Sequence, residues 1–234
     1  MKIIILAGGL GTRIAEETET KPKPMVLIDD KPILWHVMNI YAKQGYNEFL
    51  IAAGYKGEII HEWIKNLKTP WEITVLDTGS EAQTGGRIQK CMLAVPGESV
   101  MVTYGDGLAN INLQKLMNFH NRQGRLASVT AVRPPARFGV LESSNGIVTH
   151  FGEKRQADSG WINGGFFILE PGVIDFIHGV SEPFETGALP RLVQESQLSA
   201  YHHEGFWQPM DTLREKQILS ELVHETPPPW LSIT

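Results

Sequence analysis

The chain has 234 residues, of which 42% are hydrophobic and 20% charged, and its formal net charge at pH 7 is -5. This composition is typical of a globular protein with a sizeable core, and it excludes a general basic field for nucleic acid or an anionic membrane. Any phosphate must therefore be bound by a local site. The single cysteine, Cys91, excludes an internal disulfide, and we expect it to be a buried apolar filler. No apolar run approaches the roughly 20 residues that span a bilayer, which predicts a cytoplasmic protein.

The first half of the chain alternates short apolar runs with helical periodicities. Strands are predicted at residues 3–6, 48–53, 73–77 and 99–103, and helices at residues 32–45, 56–67, 87–94 and 113–121. Strands that alternate with helices favour a parallel sheet with crossover connections. The sequence therefore predicts an α/β fold with a doubly wound, mainly parallel sheet.

The second half has a more antiparallel character and is expected to pack against the same sheet. Strands are predicted at Val129, Ala131 and Val132, and at residues 139–141, 147–151, 165–169 and 198–202, with helical pieces at 176–177 and 189–195. The three prolines at 227–229 predict a stiff C-terminal tail.

A glycine-rich loop directly follows the first predicted strand and reads Leu6-Ala7-Gly8-Gly9-Leu10-Gly11-Thr12-Arg13. Ligands bind at the carboxyl ends of strands in α/β folds, and glycines let backbone N–H groups approach a polyphosphate. Arg13 adds a fork of positive donors. The loop lacks the lysine-serine end of a Walker loop and the third glycine of a dinucleotide fingerprint. Glycines alone could make only a tight turn, but with Arg13 they predict a nucleotide phosphate site.

Two lysines follow in the segment Lys21-Pro22-Lys23-Pro24-Met25. Each proline holds the preceding lysine in an extended conformation, so neither is absorbed into a helix. The alternative is a pair of solvated surface lysines. We predict that Lys23 meets the triphosphate.

The loop and the K-P-K-P-M segment resemble the signature of sugar-1-phosphate nucleotidyltransferases. Later blocks are similar to those of the glucose-1-phosphate cytidylyltransferases: Gly85-Gly86-Arg87, Tyr104-Gly105-Asp106-Gly107, Arg137-Phe138-Gly139, Trp161-Ile162-Asn163-Gly164-Gly165-Phe166-Phe167 and Gly205-Phe206-Trp207-Gln208-Pro209-Met210-Asp211-Thr212. The resemblance covers nearly the whole chain.

This resemblance implies a Rossmann-like nucleotidyltransferase fold with a smaller β-rich sugar-binding part. Residues 1–226 would form one catalytic domain, with a nucleotide-binding half (1–125) and a sugar-phosphate-binding half (126–226), followed by a tail (227–234). The implied reaction transfers a nucleotidyl group from CTP to glucose 1-phosphate and releases pyrophosphate, for deoxysugar and polysaccharide biosynthesis such as that of the lipopolysaccharide O-antigen. A homo-oligomer is also implied.

Two aspartates occupy loop positions suited to a metal ion. Asp106 follows a predicted strand between Gly105 and Gly107, and Asp211 lies on a loop far away in sequence. Either one alone is more often a turn or cap residue. Mg²⁺ commonly takes one or two carboxylates and fills its other positions with water and phosphate oxygens. The resemblance assigns the same role to both aspartates, so we predict a Mg²⁺ site at Asp106 and Asp211.

The remaining predicted site residues rest on the resemblance and on their residue types. The nucleotide base is assigned to Thr84, Gly85, Gly86 and Arg87, and the nucleotide also to Tyr104 and Gly105. The sugar phosphate is assigned to Gly139, Glu153, Lys154, Trp161, Asn163, Gly164 and Gly165, since an aromatic and an amide suit a sugar face and its hydroxyls. The predicted catalytic set is Arg13, Lys23, Asp106, Lys154 and Asp211, for in-line attack of the sugar phosphate on the α-phosphorus. His202 and His203 have no zinc-ligand spacing.

The chain departs from the cytidylyltransferases in three places: the segment at residues 67–69 is shorter, Arg155 replaces a proline after Lys154, and residues 185–188 are less acidic. Other bases or phosphorylated substrates therefore stay open. A non-catalytic nucleotide-sugar-binding subunit on the same fold is a separate alternative, which the retained Arg13, Lys23, Asp106 and Asp211 disfavour. A dehydrogenase is disfavoured because no clear acidic residue closes the second predicted strand.

Overall fold

The computed structural model describes residues 1–9, 11–135, 139–153 and 160–233, and the side chains described exclude those of Arg13 and of residues 139–142 and 150–153. The strands of this part of the chain are β1 (Ile3–Ala7), β2 (Leu27–Ile28), β3 (Lys31–Pro32), β4 (Glu48–Ala53), β5 (Glu72–Asp77), β6 (Val100–Tyr104), β7 (Gly107–Ala109), β8 (Ala127–Val132), β9 (Gly139–Ser144), β10 (Ile147–Glu153), β11 (Ile162–Asn163), β12 (Phe167–Leu169), β13 (Leu198–His203) and β14 (Trp207–Pro209). The helices are α1 (Ala15–Thr18), α2 (Ile33–Ala42), α3 (Gly57–Asn66), α4 (Thr84–Leu93), α5 (Leu113–Gln123), α6 (Ala188–Gln194) and α7 (Leu213–Leu222).

A mixed eight-stranded sheet forms the centre of the molecule, in the order β11-β8-β12-β6-β1-β4-β5, with β13 beside β8. Strands β6, β1, β4 and β5 run parallel, whereas β12 is antiparallel to β6 and β8. This topology confirms the predicted doubly wound, mainly parallel sheet; in its second half β11 and β12 are antiparallel to β8, whereas β13 is parallel to it. The chain leaves β1 toward β4 on one side and returns to β6 on the other, so the strand order reverses between β1 and β6. Such a switch point is where open α/β sheets bind ligands.

Strand β1 shows why these apolar runs lack alternation. All five of its residues are buried, with Ile3, Ile5 and Ala7 in one core cluster and Ile4 and Leu6 in the other. Helices α2 and α3 cover the first face, and α4 and α6 cover the second. A strand covered on both faces is apolar at every position.

Several features of the chain differ from the expectations of the sequence, among them the short helix α1 and the ladder between β2 and β3, which were not predicted. Helix α4 begins at Thr84 rather than near Arg87, although glycine at two consecutive positions costs helix stability. Helix α7 and the ladder between β7 and β14 were not expected. The C-terminal residues fold back onto the core, where the Trp230 side chain is fully buried beside Phe206 and His36.

Cys91 is fully buried on α4, as expected of a filler residue, and burial raises the pKa of its thiol to about 12. No helix in the described ranges is long and apolar enough to cross a membrane.

The stability of the protein is expected to fall as the pH drops below about 6.5, the ordinary pKa of histidine. Burial lowers the pKa of His36, which is 5% exposed on α2, and also that of His203 on β13. Below the pKa of the unfolded state, these two imidazoles are protonated in the unfolded chain but remain neutral in the folded one. Acid therefore favours unfolding, and the stability that the protein has above that pKa is lost as the pH falls. Thermal unfolding between pH 8 and pH 5 measures this slope. His36→Gln should reduce the slope, whereas the exposed control His61→Gln should retain it; an unchanged slope in His36→Gln would contradict the assignment.

Candidate active site

A cavity of about 510 Å³ opens at the carboxyl ends of β1 and β6. Backbone pairing sets this position, because Leu6 lies opposite Tyr104 in the parallel ladder and the Gly105 N–H donates to the Leu6 carbonyl at 3.0 Å. The cavity is lined by these predicted site residues: Leu6, Ala7, Gly8, Gly9, Gly11, Thr12, Lys23, Thr84, Arg87, Tyr104, Gly105 and Asp106. The structure therefore brings the predicted phosphate loop and the predicted metal ligand Asp106 into one crevice.

The three glycines of the loop serve different geometric purposes. Gly11 has a φ of 67°, a left-handed conformation that favours glycine. A Cβ on Gly8 would overlap the guanidinium of Arg87, whereas a Cβ on Gly9 would meet nothing within 4 Å. The expectation of positive φ thus holds for Gly11, while Gly8 admits the arginine and Gly9 leaves open space at the loop surface.

Arg87 passes beneath the loop, and its guanidinium is bonded to backbone carbonyls and to Thr78, so the structure does not place it ready to read a base as predicted. The side chain is 4% exposed. Its guanidinium donates to the carbonyls of Gly8 (2.8 Å), Ala53 (3.2 Å) and Gly79 (3.0 Å), and to Thr78 Oγ1 at 2.5 Å. Burial lowers the pKa of Arg87, yet an arginine stays protonated at neutral pH. Arg87 therefore ties the glycine-rich loop to the ends of β4 and β5.

Gly85 and Gly86 lie away from the cavity, at a close contact between α4 and residues 180–184. The Gly85 N–H donates to the Glu182 carbonyl at 3.0 Å. A Cβ on Gly86 would overlap the Val180 backbone, and one on Gly85 would lie 2.6 Å from the Glu182 carbonyl. The structure thus gives a packing reason for both glycines and does not bring them to the predicted base site.

Asp106 and Asp211 meet through the short ladder between β7 and β14. Pro209 lies opposite Gly107, and the Met210 N–H donates to the Asp106 carbonyl at 2.8 Å. This pairing places Asp106, which precedes β7, beside Asp211, which follows β14. The two carboxylates predicted as metal ligands thereby converge on one point.

The ammonium of Lys23 occupies that point. It lies 2.5 Å from Asp106 Oδ2 and 2.7 Å from Asp211 Oδ1. Burial opposes the charge of the lysine, but the two carboxylates outweigh it and raise the pKa of Lys23 above its usual range. Lys23 therefore shares its single positive charge between the two aspartates, and it also lines the cavity.

The residues predicted to bind the sugar phosphate that the structure describes with their side chains are not among those that line the cavity. Asn163 donates from Nδ2 to the Tyr104 hydroxyl at 3.0 Å. Gly165 has a φ of 78° and lies against the Tyr104 ring. Gly164 accepts a hydrogen bond from Trp207 Nε1 at 2.9 Å.

Trp161 is held outside the cavity lining, with its ring 4.4 Å from the His202 ring and 4.3 Å from the Arg133 guanidinium. That arginine covers a ring face, so the structure does not place Trp161 ready to stack on a sugar. Lys154 lies outside the described residues, as do Leu10, Arg137 and Phe138. The side chains of Arg13 and Glu153 are also not described, and Gly139 is described only as the first residue of β9.

Sequence reasoning missed two acidic residues at this site. Glu215 accepts from the backbone N–H groups of Asp211 (2.7 Å) and Thr212 (3.0 Å), while Thr212 caps α7. The pattern Thr-x-x-Glu is a capping-box signal that could have predicted both α7 and the support of Asp211. Glu185 lines the cavity and accepts from Tyr104 and Thr84. Its pairing depends on segments distant in sequence, so no local signal points to it.

The comparisons with known proteins agree with this geometry. The sequence model of the nucleotidyl transferase family matches residues 2–214. Glucose-1-phosphate cytidylyltransferase of Salmonella typhi is 43% identical over 253 aligned residues, which cover 98% of each chain. A probable glucose-1-phosphate cytidylyltransferase of Bacillus subtilis is 41% identical over 236 residues, covering 92% of each chain.

Solved structures show the same fold. HddC from Yersinia pseudotuberculosis, complexed with GMP-PN, superposes with a TM-score of 0.76 at 25% identity, over 94% of this chain and 98% of that one. A UDP-glucose pyrophosphorylase complexed with UDP-glucose gives a TM-score of 0.74 at 18% identity, over 96% and 98% of the two chains.

The fold and the crevice at its switch point define an α/β nucleotide-binding protein, and the chain belongs to the nucleotidyl transferase family. Within that family, the full-length similarity to glucose-1-phosphate cytidylyltransferases confirms the resemblance carried by the sequence blocks.

Proposed function

We propose that the protein transfers the cytidylyl group of CTP to glucose 1-phosphate, giving CDP-glucose and pyrophosphate. The observation that carries this proposal is the convergence of the glycine-rich loop, Lys23, Asp106 and Asp211 at one end of the sheet. Full-length relatives at 43% and 41% identity bear this activity in their names. The finer expectations, namely a role in O-antigen synthesis, a cytoplasmic location and a homo-oligomer, stay predictions.

The two aspartates fit a Mg²⁺ ion that would travel with the nucleotide. Their carboxylate oxygens already converge on a cation, the ammonium of Lys23. Among the described residues no third histidine, cysteine or carboxylate completes a metal cluster, so water and phosphate oxygens would fill the other positions, as Mg²⁺ prefers. When bound, the ion would neutralise the charge that develops on the α-phosphate and the leaving pyrophosphate.

The chain itself supplies positioning and charge for an in-line displacement. An ionised oxygen of the sugar phosphate attacks the α-phosphorus, the new phosphorus–oxygen bond forms, and the bond to the β-phosphate oxygen breaks. The loop at residues 8–12 would hold the triphosphate, with Arg87 keeping the loop in place from below. Arg13 and Lys154 remain the proposed cations for the triphosphate and the incoming phosphate. No protein nucleophile is needed, because the attacking phosphate is already ionised at neutral pH.

Incubation of the purified protein with Mg²⁺, five nucleoside triphosphates (CTP, UTP, dTTP, ATP and GTP) and a panel of sugar phosphates tests the proposal. Mass spectrometry of the products should show CDP-glucose as the main nucleotide sugar. Another dominant product would show a different base or sugar. Absence of pyrophosphate from every pair would refute an enzymatic role and favour a nucleotide-sugar-binding subunit.

Lys23→Met is expected to bind divalent cations about tenfold more tightly than the wild type in the absence of nucleotide. The substitution removes the ammonium that competes for the same carboxylates, and a charge-assisted hydrogen bond stabilises by about 1.5–3 kcal/mol. Titration with Mn²⁺, followed by electron paramagnetic resonance, measures the affinity. Lys65→Met, an exposed lysine on α3, is the matched control and should bind as the wild type does. Equal affinities in Lys23→Met and wild type would show that the two aspartates do not form the metal site.

A further inference from the structure

Glu185 makes an unusual contact set for a carboxylate beside a predicted phosphate site. It is half-buried in the cavity wall, where a negative charge would repel a phosphate. Both of its oxygens accept short hydrogen bonds from hydroxyls, Oε1 from Tyr104 and Oε2 from Thr84, each at 2.6 Å. A carboxylate accepts but does not donate, so each hydroxyl must direct its proton toward Glu185.

Thr84 anchors this carboxylate to the start of α4. Its hydroxyl oxygen accepts from the Phe184 backbone N–H at 2.8 Å, so it has a donor on one side and an acceptor on the other. Since Phe184 is the neighbour of Glu185 in sequence, the Thr84 hydroxyl fixes the backbone and the side chain of this segment together. The carboxylate is therefore held in one orientation toward Tyr104.

Tyr104 connects Glu185 to Asn163, because its hydroxyl is hydrogen-bonded to both side chains. The phenol donates its proton to Glu185 Oε1, because a carboxylate can only accept. The phenol oxygen is then left to accept, and Asn163 Nδ2 donates to it at 3.0 Å. The other end of the amide is also fixed, because Asn163 Oδ1 accepts from the Gly165 N–H at 2.9 Å. Tyr104 uses one of the two amide hydrogens of Asn163, and the second can donate to a substrate hydroxyl.

We propose that Glu185 is a positioning residue for the sugar phosphate. It orients the Tyr104 hydroxyl, which in turn orients the amide of Asn163 toward a hydroxyl of the bound sugar. The chain of contacts from Thr84 through Glu185 and Tyr104 to Asn163 joins the nucleotide side of the cavity to the sugar side. This inference rests on the proposed function.

A double-mutant cycle with Glu185→Ala and Tyr104→Phe tests the proposal. Each single variant should raise the KM for glucose 1-phosphate about tenfold, while the KM for CTP changes less. Both changes break the same series of hydrogen bonds. The double variant should therefore also raise the KM for glucose 1-phosphate about tenfold, and not the hundredfold expected of independent contacts. Glu185→Gln, whose amide oxygen can still accept from one hydroxyl, should restore part of the affinity. Glu195→Gln, an exposed glutamate at the end of α6, is the control.

Additive effects in the cycle would overturn the inference, as would an unchanged KM for glucose 1-phosphate in Glu185→Ala. If Glu185→Ala does not fold, Glu185→Gln and Tyr104→Phe test the inference instead. Both must then raise the KM for glucose 1-phosphate. Wild-type protein without turnover or substrate binding would instead refute the proposed function and, with it, this inference.

Discussion

Asp106→Asn is expected to lower kcat by about 10³-fold, which corresponds to about 4 kcal/mol of lost transition-state stabilisation. The substitution keeps the shape of the side chain but removes the charge that, in the proposed reaction, holds Mg²⁺ beside the α-phosphate. Asp211→Asn should have a similar effect. The double variant should be little slower than either single variant, because residues that act as a unit are not additive. Release of pyrophosphate under saturating substrates measures kcat.

The variant Asp175→Asn provides a matched control, because Asp175 is exposed in the 3-10 segment Pro171–Phe176, away from the cavity lining. Its turnover should equal that of the wild type. Calorimetric titration with CTP distinguishes nucleotide binding from turnover, because Asp106→Asn should still bind the nucleotide through the glycine-rich loop. Wild-type turnover in Asp106→Asn would remove the aspartate from the proposed mechanism.

Arg87→Met is expected to destabilise the protein by about 3 kcal/mol or more, because several buried acceptors lose a charged donor at once. For a chain of this size, that change lowers the melting temperature by about 6–12 °C. The same substitution should also raise the KM for the nucleotide, since the Gly8 carbonyl and the loop above it are no longer tied to β4. Thermal unfolding and steady-state kinetics measure the two effects.

Two further variants sharpen this experiment. Arg87→Lys keeps the charge but not the planar fork that donates to the Gly8, Ala53 and Gly79 carbonyls, so it should recover only part of the stability. Arg122→Met, at an exposed position on α5, should change the melting temperature little. An Arg87→Met variant with wild-type stability and an altered preference among nucleotides would instead support the prediction that Arg87 reads the base.

Much of the fold could be predicted because its signals are local. Continuous apolar runs identified β1, β4 and β6, since strands covered by helices on both faces need apolar residues at nearly every position, whereas the edge strand β5 is only partly buried. The start of α4 could not be predicted in this way. Gly85 and Gly86 disfavour a helix, and they are tolerated because α4 packs directly on the backbone at residues 180–184.

The C-terminal region shows the same limit. Prolines 227–229 correctly indicate that neither a long helix nor a central strand continues there. They do not reveal that Trp230 fills the core beside His36, since that contact joins the two ends of the chain. The capping box at Thr212 and Glu215, by contrast, was readable from the sequence and would have predicted α7.

The sequence by itself determined the class of fold, the glycine-rich loop after β1 and the family blocks, because each depends on neighbouring residues and on the short-range geometry they impose. Only the tertiary structure decided how those blocks act together. Lys23 meets Asp106 and Asp211 across 83 and 188 residues of sequence, and it does so because β7 pairs with β14. The place of Arg87 beneath the loop and of Glu185 between Thr84 and Tyr104 likewise depends on packing between distant segments. Local sequence specifies which groups are present, whereas long-range strand pairing and close packing specify which of them touch.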